Sequence, residues 1–266
     1  MDYDEFRHLI SSRGRELYRD MPWRQDTRAY YVLVSELMLQ QTQVPRVIPK
    51  FEAFIRQFPD IQTLARAPLA DVLRAWTGLG YNRRAKYLHE AAKQLEAECG
   101  GEMPNDYEKV RRLPGVGPAT AGAIMAYAFN QPIVFIETNV RTVYFHYFFE
   151  PDKKVSDAEL LPLIEATIDK NHPREFYWAL MDYGTWLKQN VKKNTNQSIH
   201  YKKQSRFSGS TREVRGQIIR LLGENDMTLD RLQEQVPGDE RFTQALDGLL
   251  KDGLVVCSDD VLHLAK

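Results

Sequence analysis

Along residues 1–187, apolar positions recur at the three-to-four spacing of amphipathic helices, not at the alternation of strands. Tyr30 to Met38 places Val32, Leu33 and Leu37 at helical spacing, and Asn82 to Leu95 does the same through Ala85, Leu88, Ala92 and Leu95. Ala119 to Phe129 is a run of small and apolar residues, suited to a buried helix packed closely on its neighbours. Pro59, Pro68, Pro104, Pro114, Pro132 and Pro173 punctuate the chain at intervals that suit short helices joined by tight turns. Residues 1–187 are therefore read as all-α.

The pattern changes from Ser208-Gly209-Ser210. Thr211–Gly223 reads as a helix with Val214, Ile218, Leu221 and Leu222 inward, followed by helices over Thr228–Val236 and Arg241–Asp252. Leu254–Val256 and Val261–Leu264, on either side of Ser258-Asp259-Asp260, read as a hairpin. Three helices and a two-stranded wing make a winged-helix-like α+β module. The expected organisation is a helical domain over 1–207, with a loop at 188–206, and a small module over 208–266.

Composition narrows the class without naming a function. The 266 residues are 43% hydrophobic and 27% charged, as in ordinary globular proteins, and the formal net charge is +0. No run approaches the roughly 20 apolar residues of a membrane span. The start Met1-Asp2-Tyr3-Asp4-Glu5 has no signal-peptide character, so a cytoplasmic protein is expected. Cys99 and Cys257 stand far apart with no ligand spacing around them, which argues against a disulfide scaffold or a zinc or iron–sulfur site. The charge is unevenly spread. Residues 207–266 carry 7 basic and 11 acidic side chains, whereas Lys188, Lys192, Lys193, Lys202, Lys203 and Arg206 follow one another with no acid between them. Such a run alone reads as solvated surface.

One short motif carries chemistry. Leu113-Pro114-Gly115-Val116-Gly117 lies between a basic helix end (Lys109, Arg111, Arg112) and a helix opened by Pro118. Pro suits the first helical position because its missing donor would be an orphan there. Gly115 and Gly117 permit positive φ and leave the backbone bare, so amide N–H groups can reach a phosphate oxygen, aided by the positive end of the following helix. The motif predicts a phosphate-gripping hairpin, with a purely structural turn between two helices as the alternative.

With this hairpin, several further motifs resemble the helix-hairpin-helix (HhH-GPD) base-excision DNA glycosylases, and within them the MutY-type adenine branch. They are Met21-Pro22-Trp23-Arg24, Ser35 to Val44, Trp76-Thr77-Gly78-Leu79-Gly80-Tyr81, Thr120 to Ile124 and Asn139-Val140, in family order over roughly residues 15–187. The resemblance implies an all-α, two-lobed fold with a cleft. It implies double-stranded DNA holding a mismatched or damaged base as partner, and a monomer.

Carried over by position, Glu36 is the general acid and base. It lies in an apolar helix (Val32, Leu33, Val34, Leu37, Leu39), where burial raises a carboxyl pKa. The anionic partner of an oxocarbenium-like sugar is an Asp in such enzymes. This chain has Glu137 there, one methylene longer, which leaves electrostatic stabilisation and helix capping both open. Arg19, Trp23, Leu39, Thr42, Asp182, Asn139 and Ala119 match base-pocket positions, and Gln41 matches the residue wedged into the duplex. Tyr81, Asn82, Leu113, Gly115, Val116, Gly117, Lys192 and Lys193 complete the implied DNA contacts. Asn82 also reads as a cap for the helix behind it.

Ala119 replaces the Lys of strand-nicking relatives and has no nucleophile, which implies a monofunctional enzyme. The four cluster cysteines of the branch are here Lys188, Thr195, Ser198 and Gln204, so no iron–sulfur cluster is expected. A monovalent or other cation at the hairpin stays open. The usual domain that recognises oxidised guanine is replaced by the shorter winged-helix-like segment. Excision of adenine opposite guanine or 8-oxoguanine is the favoured reading. Thymine or uracil excision opposite guanine, and a catalytically weak lesion-binding protein, are its alternatives.

Overall fold

The computed structural model describes residues 1–151, 153–191, 198–199, 206–236 and 239–266. It is mostly helical with one small sheet, the fold class expected. By contact it divides into two compact units, Met1–Leu33 with Asn105–Arg112 and Val116–Lys203, and Val34–Pro104 with Leu113–Gly115 and Gln204–Lys266. The expected C-terminal module is thus grouped with residues 34–104. No helix among the described residues is long and apolar enough to cross a membrane.

In the first unit, α1 (Tyr3–Glu16) and α10 (Thr138–Phe148) pack on α12 (Pro173–Asn190), α11 (Asp157–Thr167) packs on α1, and α8 (Tyr107–Arg111) packs on α9 (Pro118–Phe129). Capping boxes start α1 and α11, where Asp2 and Ser156 exchange hydrogen bonds with Glu5 and Glu159. Phe6, Tyr144, Phe145 and Tyr177 form the aromatic centre, with Phe6 and Tyr144 5.1 Å apart. Each such buried side chain stabilises the fold by about 1.5–3 kcal/mol. Gly184 lets α12 approach α10, because a Cβ there would lie 2.6 Å from the Asn139 carbonyl oxygen.

In the second unit, α5 (Ile61–Arg66) and α6 (Leu69–Trp76) pack on α7 (Arg83–Cys99), and α4 (Val44–Gln57) packs on α6. Pro45 and Pro68 fall at helix starts, but Pro49 and Pro162 lie inside α4 and α11, so not every proline marks a boundary. The C-terminal helices are α13 (Thr211–Glu224), α14 (Leu229–Gln235) and α15 (Glu240–Lys251), close to the ranges expected. The hairpin strands β2 (Val255–Ser258) and β3 (Val261–Leu264) pair antiparallel, with Ser258 opposite Val261. Asp259 and Asp260 both have positive φ, the geometry of a tight two-residue turn. A third strand, β1 (Met227–Thr228), pairs with β3 and gives the order β1-β3-β2. Its two residues carry no readable period.

α3 (Ala29–Leu39) contains the boundary between the units, at Leu33/Val34. Its C-terminal turn is held by Arg84, a buried residue of α7. Nη1 donates to the carbonyl oxygens of Leu37, Met38 and Gln40 at 2.7–2.8 Å. Nη2 donates to the Thr42 hydroxyl and to the Leu79 and Gly80 carbonyls at 2.9–3.2 Å. The guanidinium also stacks near Trp76 and Tyr81, 5.3 and 5.5 Å from their ring centres. Burial pulls its pKa down to about 10, so it stays charged at neutral pH at the negative end of the α3 dipole. A lysine ammonium in its place could supply neither the planar fork nor five donors. Arg84→Lys is expected to cost about 2–4 kcal/mol by orphaning buried carbonyls, read as a lower melting temperature; an unchanged melting temperature would remove Arg84 from this role.

Candidate functional site

Glu36 sits on α3 half-buried, while its neighbours from Val32 to Ser35 and Leu37 and Met38 are all buried. It is therefore set into the apolar part of the helix and not on a solvated stripe. Leu39 and Thr42 follow it, half-buried. The Thr42 hydroxyl lies within hydrogen-bond reach of Gln40, Leu79 and Arg84. Gln41 is exposed with φ 57°, and Tyr81 has φ 47°. Two non-glycine residues in the left-handed region are unusual, and such strain gathers at functional sites. Arg84 holds the segments that carry both. Asn82 is 8% exposed and stands at the start of α7, yet its side chain makes no capping hydrogen bond. The capping alternative for Asn82 is corrected accordingly.

The hairpin departs from expectation at one glycine. Gly115 has φ 76°, and a Cβ there would lie 2.8 Å from the Tyr87 Cβ and 3.2 Å from the Leu37 Cδ2. It needs to be glycine on both counts. Gly117 has φ −86° and ψ 177°, extended backbone that any residue adopts, and a Cβ there would meet nothing within 4 Å. Nothing in the fold requires glycine at 117, and its backbone is exposed at the start of α9. Leu113 and Val116 are 4% and 6% exposed, so their side chains belong to the core and only their backbone can meet DNA. Gln40 Nε2 donates to the Gly115 carbonyl at 3.2 Å and steadies the turn. Ala119 is half-buried in the first turn of α9.

In the first unit the structure joins Arg19 to Asp182 and adds a residue the sequence reading missed, Arg24. The Asp182 Oδ1 accepts from Arg19 Nε (2.6 Å) and Arg24 Nη2 (3.0 Å), and its Oδ2 from Arg24 Nη1 (2.7 Å) and the Arg19 amide (3.2 Å). A carboxylate has about four lone-pair sites. All are filled, so Asp182 holds the two arginines instead of presenting oxygens of its own. The signal for Arg24 was its place in the Met21-Pro22-Trp23-Arg24 motif, and its burial is what makes a paired carboxylate necessary.

Glu137 caps α10. Its Oε1 accepts the Asn139 amide at 2.7 Å, the helix-capping alternative, and this fixes the carboxylate in place. Asn139 in turn accepts from Lys188 Nζ at 2.6 Å through Oδ1. Desolvation lowers the Lys188 pKa, the Glu137 charge opposes that shift, and Arg19 adds to it. Lys188 thus joins Glu137 and Asn139 at one place. Ser198 pairs with Val155 in an isolated parallel bridge. Neither Lys188 nor Ser198 offers a thiolate, and Thr195 and Gln204 lie outside the described residues, as do Lys192, Lys193, Lys202 and Lys203. The side chains at these positions do not fit an iron–sulfur cluster. Among the described residues no three His, Cys, Asp or Glu side chains could hold a metal ion. Glu36 and Glu137 belong to different units.

A family model described as HhH-GPD superfamily base excision DNA repair protein matches residues 34–165. The adenine DNA glycosylase of Mycolicibacterium smegmatis is 33% identical over 262 residues, covering 89% of this chain and 88% of that protein. That of Buchnera aphidicola subsp. Baizongia pistaciae is 38% identical over 179 residues, 66% of this chain and 51% of the relative, so the chain spans about half that protein's length. A thermostable thymine-DNA glycosylase structure overlays with a TM-score of 0.66 at 24% identity, covering 73% of this chain and 90% of that one, a likeness of fold. The chain belongs to the helix-hairpin-helix base-excision DNA repair family, among the adenine DNA glycosylases.

The two hairpin glycines make separable predictions. Gly115→Ala should destabilise the protein by about 1–3 kcal/mol, through its left-handed φ and the contact with Tyr87. Gly117→Ala should leave the melting temperature within a degree or so and weaken duplex binding severalfold, read by fluorescence anisotropy. Equal effects of the two on stability would show that Gly117 serves the fold.

Proposed function

We propose that this chain is a monofunctional DNA N-glycosylase that excises adenine mispaired with guanine or 8-oxoguanine during base excision repair. The observation that carries the reading is Glu36, set half-buried into the otherwise buried stretch of α3, in a chain whose relatives bear the name adenine DNA glycosylase. Glu36 protonates the departing base and then takes a proton from the attacking water, the two halves of acid–base work. Glu137 supplies the negative charge beside the oxocarbenium-like sugar. Its attachment to the Asn139 amide supports this role, because a fixed charge costs no reorganisation when the sugar becomes cationic.

Arg19, Arg24 and Trp23 are proposed to line the base pocket, with Asp182 holding the arginines. Gln41 and Tyr81 enter the duplex where the base leaves it. The bare amides at Gly115–Gly117 and the start of α9 bind a backbone phosphate. Ala119 has no amine to form a Schiff base, so water is the nucleophile and strand nicking is weak. The protein works as a cytoplasmic monomer without an iron–sulfur cluster.

Duplexes with single A·G, A·8-oxoguanine, T·G and U·G pairs, incubated with the protein and then treated with hot alkali, test the reading. Cleavage is expected at the adenine mispairs. Cleavage confined to the pyrimidine mispairs would replace adenine by thymine or uracil as the excised base, and no cleavage at high protein excess would make the chain a lesion-binding protein. In Glu36→Gln, single-turnover excision should fall by at least about a thousandfold while duplex affinity stays within a fewfold. Retained excision would move the acid elsewhere.

A further inference from the structure

Asn139, the second residue of α10, is held by one face of α12. Met181, Gly184 and Lys188 follow one another at three and four residues, the spacing that puts them on one side of a helix. Asn139 Nδ2 donates to the Met181 sulfur at 3.7 Å, and its Oδ1 accepts from Lys188 Nζ at 2.6 Å. Between these two contacts Gly184 lets the helices touch, since a Cβ there would lie 2.7 Å from the Asn139 Cβ. Among the described residues, the Asn139 amide is the one hydrogen-bond donor to the Glu137 carboxylate, at 2.7 Å. The place of that carboxylate therefore follows the place of Asn139.

The fold does not need Lys188 for this. α10 and α12 already pack on each other, with Tyr144 and Tyr177 buried and a hydrogen bond between the Tyr147 and Tyr183 hydroxyls. A cation in the last turn of a helix is favourable wherever it points. Lys188 is exposed as a residue, yet it directs its ammonium to Asn139. Desolvation there lowers its pKa, the Glu137 charge opposes that shift and Arg19 adds to it, so the three charges stand in one another's field. That field is not the benefit, because an ammonium beside Glu137 offsets part of the negative charge a cationic sugar would feel. What the lysine adds is orientation. With Oδ1 on the ammonium and Nδ2 on the sulfur, the carboxamide is held one way round, since a turned amide would set its donors against a cation. Lys188 stands where the branch carries its first cluster cysteine, so a hydrogen-bond donor occupies a position that offers no thiolate.

We propose that Lys188 is a positioning residue for base excision: it locks the Asn139 carboxamide against α12 and so fixes the start of α10, with the Glu137 carboxylate, beside the sugar of the flipped nucleotide. The inference rests on the glycosylase reading above and adds a residue to it. Lys188 touches neither the base nor the sugar. It acts on where the anion stands when the sugar becomes cationic, and a displacement of about 1 Å at such a point can cost about a hundredfold in rate.

The test uses the full chain and two readouts. Single-turnover excision is followed on an A·8-oxoguanine duplex. Affinity is read by fluorescence anisotropy on duplexes in which guanine faces either a cationic pyrrolidine abasic analogue or its neutral tetrahydrofuran counterpart, so that the ratio reports the anion beside the sugar. The native protein should prefer the pyrrolidine duplex by about tenfold. In Lys188→Met, which keeps an unbranched stem and removes the donor, excision should fall by about tenfold to a hundredfold and the preference to within about twofold. Its melting temperature and tetrahydrofuran affinity should stay nearly unchanged. Lys188→Arg, which keeps a donor and the charge, should recover most of both losses. A lysine acting only through its charge predicts the opposite sign, a stronger pyrrolidine preference in Lys188→Met, and that result would overturn the inference. Full excision with an unchanged preference would overturn it too, as would a native protein that prefers neither duplex. A melting temperature lowered by several degrees, with equal loss of affinity for both duplexes, would make the lysine a fold contact and also overturn it. A native protein that excises no adenine in the mispair panel fails the glycosylase reading, whereas an active native protein with an equally active Lys188→Met variant fails this inference alone.

Discussion

The Arg84 guanidinium is the contact on which the second unit's working parts depend. A buried cation is normally met by a carboxylate, but this one is solvated by a ring of oxygens drawn from the end of α3 and from Thr42 and the 79–80 backbone. Those carbonyls are the ones a helix end and a glycine-rich turn leave without partners. One side chain therefore satisfies two irregular segments and holds them against each other. Glu36 lies one turn before the end of α3, and Gln41 and Tyr81 lie just beyond the ring with left-handed φ values. The strain at those two residues persists because the surrounding hydrogen bonds over-determine it.

The first unit solves its charge problem with a different arrangement. Asp182 and Arg24 are almost fully buried, with side chains 1% and 2% exposed. Removing one partner of such a pair strands a charge, which costs about 3–5 kcal/mol. With its lone pairs filled, the Asp182 carboxylate fixes the two guanidiniums near Trp23. Gly184 brings α12 close enough to α10 for Lys188 to reach Asn139, whose amide is already tied to Glu137. Glu137 is thus anchored through its helix cap, and the proposed electrostatic role and the observed structural one use the same carboxylate.

The C-terminal module shows how net charge can mislead. Its surplus of acids suggests a surface that avoids DNA, yet α13 places Arg212 and Arg220, together with Glu213, along one wall of a cavity shared with Gln41 and Tyr81, the residues proposed for the wedge. Arg74 and Lys86, from α6 and α7, donate to the carbonyls of Gly223 and Asp252, so the module is seated on the helices that present those residues. Local arrangement of charge, and not its sum, decides what a helix face can bind.

By itself the sequence determined the features written in local chemistry. Helical period marked α3, α7 and α9 to within a residue or so at most ends, apolar runs on either side of Ser258-Asp259-Asp260 marked the β2–β3 hairpin, and the backbone needs of a tight turn marked Gly115. Ordered motifs placed the chain among base-excision glycosylases and singled out Glu36. The tertiary structure alone decided what depends on distant partners. Arg84 meets oxygens more than forty residues away, and Arg24 meets Asp182 across 158 positions. Neither spacing has a period to read. Likewise Gly117 proved to be free of internal constraint, Leu113 and Val116 proved to be core, and β1 owes its two-residue existence to pairing with β3. Burial and long-range hydrogen bonding assign these roles, and only the folded chain brings them into being.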